Sequence, residues 1–362
     1  MSDFLNALNA TITIGSLYAL IALGYTMVYG ILKLINFAHS DVVVLGAWSS
    51  LTVGTVLLPR LGVDPASPPW WAGVVVLVAA MLVCGVAGFL IERFAYKPLR
   101  GAPRLNALIT AMGVSLFLQN AGQLQWKMAD ARPAAEGRPA AAALYLPFGT
   151  QPGGTPAVMP VAHGKSGPEP IVVYRHDFES IIKTADGGTK TVAEPFQITL
   201  VDVVIVACAV GLMIGLEILV FHTRLGTAMR AVSYNTDFAA LMGIPIDRVI
   251  SFTFVLGAVL AAAAGFLYGQ KYGQINPTAS YTWTLLGLKA FVAAVVGGIG
   301  NVRGAVVGAF LIAFIEQFGG RYAAIVWPGA SAYTAVAVFA LLIIVLLVKP
   351  AGLFGSTVRE KV

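Results

Sequence analysis

An all-α, polytopic membrane protein with about eight to nine transmembrane helices is the fold class this chain predicts, and three observations carry it. The 362 residues are 58% hydrophobic and only 11% charged, with mean hydropathy +0.81, whereas soluble domains carry about 25% charged residues. No aqueous core needs that much apolar sequence, so lipid must solvate it. The apolar residues also gather into nine stretches near spanning length, and the basic residues cluster on alternate connections between them, as membrane topology requires. The net charge of +6 is explained by that placement and gives no reason to expect nucleic acid as a partner.

The nine expected spans are 10–32, 41–58, 71–91, 105–124, 198–220, 249–269, 284–299, 303–318 and 333–348. Residues 1–10 contain no Lys or Arg, so the first stretch reads as a permanent span rather than a cleaved signal. With the N-terminus outside, twelve basic residues fall on cytoplasmic segments: Lys33; Arg93, Lys97, Arg100 and Arg104; Arg224, Arg230 and Arg248; Arg303; Lys349, Arg359 and Lys361. The short external segments hold three: Arg60, Lys271 and Arg321. Twelve against three sets the orientation, with the C-terminus cytoplasmic. Cys84 and Cys208 lie inside apolar stretches and read as small hydrophobes, with no disulfide or metal site implied.

Between the fourth and fifth spans, residues 126–196 hold nine of the nineteen prolines and form an external insert. Its second half reads as β structure: Pro170-Ile-Val-Val-Tyr-Arg, then a strand pair over 181–192 turning at Asp186-Gly187. The fifth and sixth spans flank a polar island, 222–248, which reads as two short helices. Thr227 is the expected cap of the first, and Asn235 or Thr236 of the second, with Asp237 in its first turn. Gly243 supplies a left-handed stop and Pro245 prevents resumption. Such punctuation is unnecessary in an ordinary loop and suggests a docking surface.

The seventh and eighth spans are short and Gly-rich, leaving open two full crossings or a re-entrant pair. Gly300, Gly304 and Gly308 recur at four-residue spacing, as do Gly211 and Gly215, and Gly265 and Gly269, which lets helices approach closely. Gly297, Gly298 and Gly300 also read as a helix break beside a pathway. Polar groups inside spans are costly; they are Asn36 and His39, Gln119, Asn120 and Gln123, and Lys289 and Glu316. The last two either pair structurally or line a passage for a zwitterionic solute. Asp202 and Glu217 read as facing interfacial water.

Catalytic constellations do not emerge. Gly164-Lys165-Ser166 imitates a phosphate-binding loop, but Met159 stands where the leading glycine belongs. The Gly298–Gly304 run has one residue too many for a dinucleotide fingerprint. His39-Ser40-Asp41 are adjacent and point apart, and the four histidines have no metal-ligand spacing. The chain reads as a transport subunit, not an enzyme.

Several segments carry a resemblance. Gly15-Ser-Leu-Tyr-Ala-Leu-Ile-Ala-Leu-Gly-Tyr-Thr-Met-Val-Tyr-Gly30 with Ile35-Asn-Phe-Ala-His39, then Glu92-Arg-Phe-Ala-Tyr-Lys-Pro-Leu-Arg100, Phe117-Leu-Gln-Asn120 and Val295-Val-Gly-Gly-Ile-Gly300 resemble the H-type permease of branched-chain amino acid ABC importers. The likeness covers nearly the whole chain except most of 126–196, which is longer than usual in that family. It implies one permease domain over 1–362, in a bacterial inner membrane, paired with a distinct homologous permease. It further implies two cytoplasmic ATPase subunits that carry ATP and Mg, none bound by this chain, and a periplasmic solute-binding protein delivering leucine, isoleucine or valine. The island 222–248 would be the coupling segment, through Arg230, Asn235, Asp237, Ala239, Ala240 and Gly243; Phe238 stands where other importers commonly place Glu. The pathway would draw on Asn36, His39, Gln119, Asn120, Lys289, Gly297, Gly298 and Gly300. Family members also carry urea, amides and other amino acids. The alternative readings are an ATP-independent secondary transporter, for which Glu316 is the one candidate ion-binding carboxylate, or a channel-like permease for urea or amides.

Overall fold

The computed structural model describes residues 2–64, 68–122, 124, 126–135, 137–146, 157–158, 171–183, 189–272, 274–275, 280–326 and 333–355. Gln123, Met159, Gly164-Lys165-Ser166, Asp186-Gly187, Arg359 and Lys361 lie outside them.

The helices are α1 (Ser2–Leu32), α2 (His39–Thr52), α3 (Leu58–Arg60), α4 (Trp70–Ile91), α5 (Arg104–Ala121), α6 (Leu200–His222), α7 (Arg224–Tyr234), α8 (Thr236–Leu241), α9 (Ile246–Tyr272), α10 (Ser280–Gly297), α11 (Val302–Val326) and α12 (Thr334–Val348). A π-helical turn, Val53–Leu57, joins α2 to α3, and a second, Glu92–Tyr96, extends α4. Among the described residues, six helical segments are long and apolar enough to cross a membrane; α5, α10 and α12 are shorter apolar helices. Each expected span thus has a helical core, with ends trimmed: α5 stops at Ala121, α6 starts at Leu200 after strand residues 198–199, and α10 stops at Gly297. The pair 284–299 and 303–318 is unequal: α11 runs 25 residues, about 37 Å at 1.5 Å per residue, which is full spanning length.

α1 is the hub. It packs against α11, α9, α10 and α6, while α9 also packs against α4 and α2. Glycines set the closest crossings. A Cβ on Gly46 would lie 2.5 Å from the Ala262 Cα, and one on Gly265 would fall on the Val43 carbonyl, so α2 and α9 meet backbone to backbone. Gly304 and Gly308 face the Gly297 and Ala293 carbonyls of α10 in the same way, as small residues permit in lipid. Gly269 is buried in α9. Gly211 and Gly215 have no neighbour within 4 Å, so their spacing serves no contact among the described residues.

At one end of the bundle, β1 (Trp126–Ala129) pairs with β2 (Leu144–Leu146), β3 (Ala157–Val158) with β6 (Gln274–Ile275), and β4 (Val172–Lys183) with β5 (Thr189–Thr199), all antiparallel. The strand expected at 170–175 and the pair expected over 181–192 belong to one long hairpin, because Tyr174 through Lys183 continue in a single register against β5, with an irregularity only between Val172 and Tyr174. The insert is tied down: Arg60 donates to the Asp130 carbonyl at 3.0 Å, Arg132 to that of Pro59 at 2.6 Å, and Asn6 to that of Pro195 at 3.2 Å. β5 runs straight into α6 through a capping box, in which Thr199 and Asp202 satisfy each other's backbone N–H. Asp202 is 3% exposed and ion-paired with Lys271. It therefore does not face interfacial water; capping and pairing keep it inside.

Candidate coupling segment and membrane-embedded cavity

At the opposite end of the bundle, the island folds as the two helices its punctuation predicts, with one cap displaced. Thr223, not Thr227, caps α7, accepting from the Gly226 N–H at 3.0 Å, because the Thr227 hydroxyl already donates to the Thr223 carbonyl. Asn235 caps α8, accepting from the Asp237 and Phe238 N–H groups at 2.9 and 3.0 Å. Gly243, at φ +79°, closes α8. Its N–H bonds the Ala240 carbonyl and that of Ile244 bonds the Ala239 carbonyl, a Schellman motif. Pro245 does not hold off the next helix; α9 begins one residue later, as proline's fixed φ and missing N–H permit at a helix start.

The unit is rigidly fastened. Met229, Val232 and Ala239 are buried; the Ser233 hydroxyl donates to the Gly30 carbonyl of α1 at 2.5 Å. The Arg230 guanidinium lies over the Phe221 ring at 5.3 Å. The α8 tip behaves differently: Phe238 (66%), Leu241 (82%) and Met242 (83%) are all exposed, a compact apolar patch beyond the bundle's end. At the base of α9, Asp247 pairs with Arg100 and Lys97, while buried Glu92 pairs with Arg100 and accepts from the Ser251 hydroxyl. In the sequence this segment stood out through its basic residues and its family resemblance; charges eight residues apart gave no sign that they pair with each other and reach separate partners, Ser251 and Asp247, on α9.

Within the bundle, Lys289 on α10 and Glu316 on α11 do pair, at 2.6 Å. The Tyr18 hydroxyl of α1 donates to the second Glu316 oxygen at 2.7 Å. All three line a cavity of about 170 Å³ whose remaining walls come from Ile14, Leu17, Tyr268, Tyr272, Leu285 and Leu286. The tyrosines escaped the sequence reading because tyrosine is unremarkable in an apolar span. Further along α1 and α10, Tyr25 of α1, Phe37 of the α1–α2 connection, and Leu288 and Phe291 of α10 line a second, more apolar cavity of about 260 Å³.

The other pathway candidates divide. Gln119 donates to Asp41 at 2.9 Å, beside Ser115 of the second cavity. Asn36 is buried and accepts from the Tyr96 hydroxyl at 2.9 Å. The buried His39 ring packs edge-on against Tyr25, centroids 4.5 Å apart, with no hydrogen-bond partner at Nε2 among the described residues; Gly24 leaves it room. Asn120 is exposed, bonds its own helix at the Leu116 carbonyl and lines neither cavity. Gly297, Gly298 and Gly300 form the α10–α11 turn, with Gly298 and Gly300 at φ +111° and +96°. The segment after α12 straps across it: the N–H groups of Leu353 and Phe354 bond the Val296 and Gly297 carbonyls at 2.8 and 3.0 Å.

A hub-and-rim bundle of long apolar helices, with one charged and one mostly apolar cavity among them, defines a multi-pass membrane protein. The chain belongs to the family described as branched-chain amino acid transport system / permease component, which matches residues 7–347. It is 36% identical over 359 residues to LivH of Escherichia coli K12, a high-affinity branched-chain amino acid transport system permease protein, covering 99% of this chain and 98% of that one. It is also 36% identical over 361 residues to BraD of Pseudomonas aeruginosa, described in the same words, with the same coverage. A shorter likeness, 30% identity over 116 residues, links it to the fructose import permease protein FruG of Bifidobacterium longum, covering 30% of this chain and 34% of that one. No solved structure matches.

Proposed function

We propose that this chain is the transmembrane permease subunit of an ATP-driven importer that carries branched-chain amino acids inward across a bacterial inner membrane. The N-terminus lies outside and the C-terminus in the cytoplasm. ATP and Mg bind separate cytoplasmic ATPase subunits, a second homologous permease completes the pathway, and a periplasmic binding protein delivers the solute.

One observation carries the coupling: a doubly capped, buried-backed helix pair that ends in an exposed apolar tip and is continuous with two spanning helices. An apolar patch held rigidly in water marks a docking site. When the ATPases close on ATP, their grooves move α7 and α8, and the attached α6 and α9 tilt. Packed helices slide against the hub as bodies, a shear motion, which opens the pathway at one end and shuts it at the other. The roles of Arg230, Asn235, Asp237, Ala239, Ala240 and Gly243 are to hold and shape this lever.

The test is reconstitution with the partner subunits. Gly243→Val cannot hold φ +79° without strain and meets no neighbour within 4 Å, so membrane insertion should persist while ATP hydrolysis separates from leucine uptake. Normal coupling in this variant would remove the docking role.

A further inference from the structure

We infer that the Lys289–Glu316 pair is an exchangeable binding site for the head group of a free aliphatic α-amino acid, with Tyr18 holding the glutamate in place. This deepens the importer reading and rests on it. A permanent structural pair would sit in packed protein, because two charges at membrane depth gain little over apolar replacements. Here both partners border a cavity and keep part of their surface open to it, 15% and 19%. The cavity's roughly 170 Å³ corresponds to five or six waters at ~30 Å³ each, the scale of one small amino acid.

The chemistry of the walls is complementary to a zwitterion. The solute's ammonium meets Glu316 and its carboxylate meets Lys289, so one ion pair becomes two and no net charge enters the bilayer. Each new contact is a charge-assisted hydrogen bond. The Tyr18 hydroxyl already occupies one Glu316 oxygen, which leaves the other, now held by Lys289, for the ammonium. Ile14, Leu17, Leu285 and Leu286 offer the aliphatic side chain an apolar wall. The second cavity along α1 and α10, with Phe37, Leu288 and Phe291, is the next apolar station. An uncharged amide gains neither ion pair.

Saturation-transfer NMR on the intact importer complex in nanodiscs, without the periplasmic protein, tests this. The probes are leucine, 4-methylpentanoate (no ammonium), 3-methylbutylamine (no carboxylate) and urea. Leucine should give the strongest signal, with each half-charged analogue binding about tenfold more weakly and urea not at all. The double variant Lys289→Met/Glu316→Leu, which strands no charge, should lose leucine binding by at least about tenfold. Equal binding of leucine and its analogues in the unaltered complex, or an unchanged leucine signal in the double variant, overturns the inference. A parallel leucine-uptake assay on the unaltered complex with its receptor separates the two readings. Uptake without the expected binding pattern sinks the site alone, whereas absent uptake sinks the importer assignment.

Discussion

The hub helices and the rim helices differ in a direction opposite to that of a soluble protein. The most apolar windows of α1, α2 with α3, and α9 are 89%, 72% and 72% buried, with hydropathies of 1.6, 1.8 and 2.2. Those of α4 and α6 are only 28% and 22% buried, with hydropathies of 2.9 and 2.8. Lipid rewards apolar surface as well as the protein interior does, so burial here selects for small residues and paired polar groups instead. α11 is the exception, 33% buried at 1.5, and it carries the cavity's Glu316.

The largest test of that contrast is a glycine swapped for leucine on each side of it. Gly265→Leu must push apart α2 and α9 at a backbone contact. It should cost about 3 kcal/mol or more, the upper end of overpacking, seen as loss of monodisperse protein. Gly211→Leu on α6 has open space and should leave the fold intact. If Gly211→Leu prevents assembly of the complex while sparing this chain's own fold, the α6 face is covered by a partner and the rim is narrower than the chain alone indicates.

Charge gives a smaller version of the same comparison. Glu92 is fully buried and holds both Arg100 and Ser251. Glu92→Gln should cost about 2–3 kcal/mol, below the usual 3–5 for breaking a buried pair, because Arg100 keeps Asp247. Glu217 pairs with Arg303 on the rim at 2.6 Å, but both are substantially exposed, so Glu217→Gln should change stability by about 0–1 kcal/mol. Thermal unfolding of the two variants in nanodiscs checks the ratio; equal effects would erase the distinction between a charge of a rim helix buried against hub helix α9, as Glu92 is, and one left exposed, as Glu217 is.

Helix caps come next. Asn235→Ala and Thr223→Ala should each cost about 1 kcal/mol of local helix stability, while Thr227→Ala should cost almost nothing. Hydrogen exchange of the 224–243 amides reads this directly, and strong deprotection by Thr227→Ala alone would return the cap to the residue the sequence suggested.

That misplacement shows where the sequence was legible. Spans could be read because lipid imposes length and hydropathy, and the island because caps and positive-φ glycines are local chemistry. Asn235 and Gly243 needed only their neighbours. Thr223 and Thr227 are both competent caps, and the choice depends on which turn of α7 packs beneath α6, since a Cβ on Gly226 would strike the Leu219 and Val220 carbonyls. The cavity was half-legible: Lys289 and Glu316 stand out as charges in apolar surroundings, whereas Tyr18, Tyr268 and Tyr272 matter only through a meeting of α1, α9 and α11. Asp202 was misjudged because its partner Lys271 lies 69 residues away, beyond any local pattern.

The smallest effect lies at the end of the hub itself. α1 stops at Leu32, and Lys33 takes φ +54°, the one non-glycine residue with positive φ among those described; its N–H bonds the Tyr29 carbonyl at 2.8 Å. The bundle elsewhere gives this geometry to glycine, as at Gly243 and Gly352. Left-handed backbone costs a side chain about 1–2 kcal/mol, and glycine returns part of that through its freedom in the unfolded chain. Lys33→Gly should therefore stabilise by up to about 1 kcal/mol, and Lys33→Ala, which keeps the strain, should gain less. A Lys33→Gly variant less stable than Lys33→Ala would mean that the turn is held from outside, and that the end of the most buried helix depends on contacts beyond this chain.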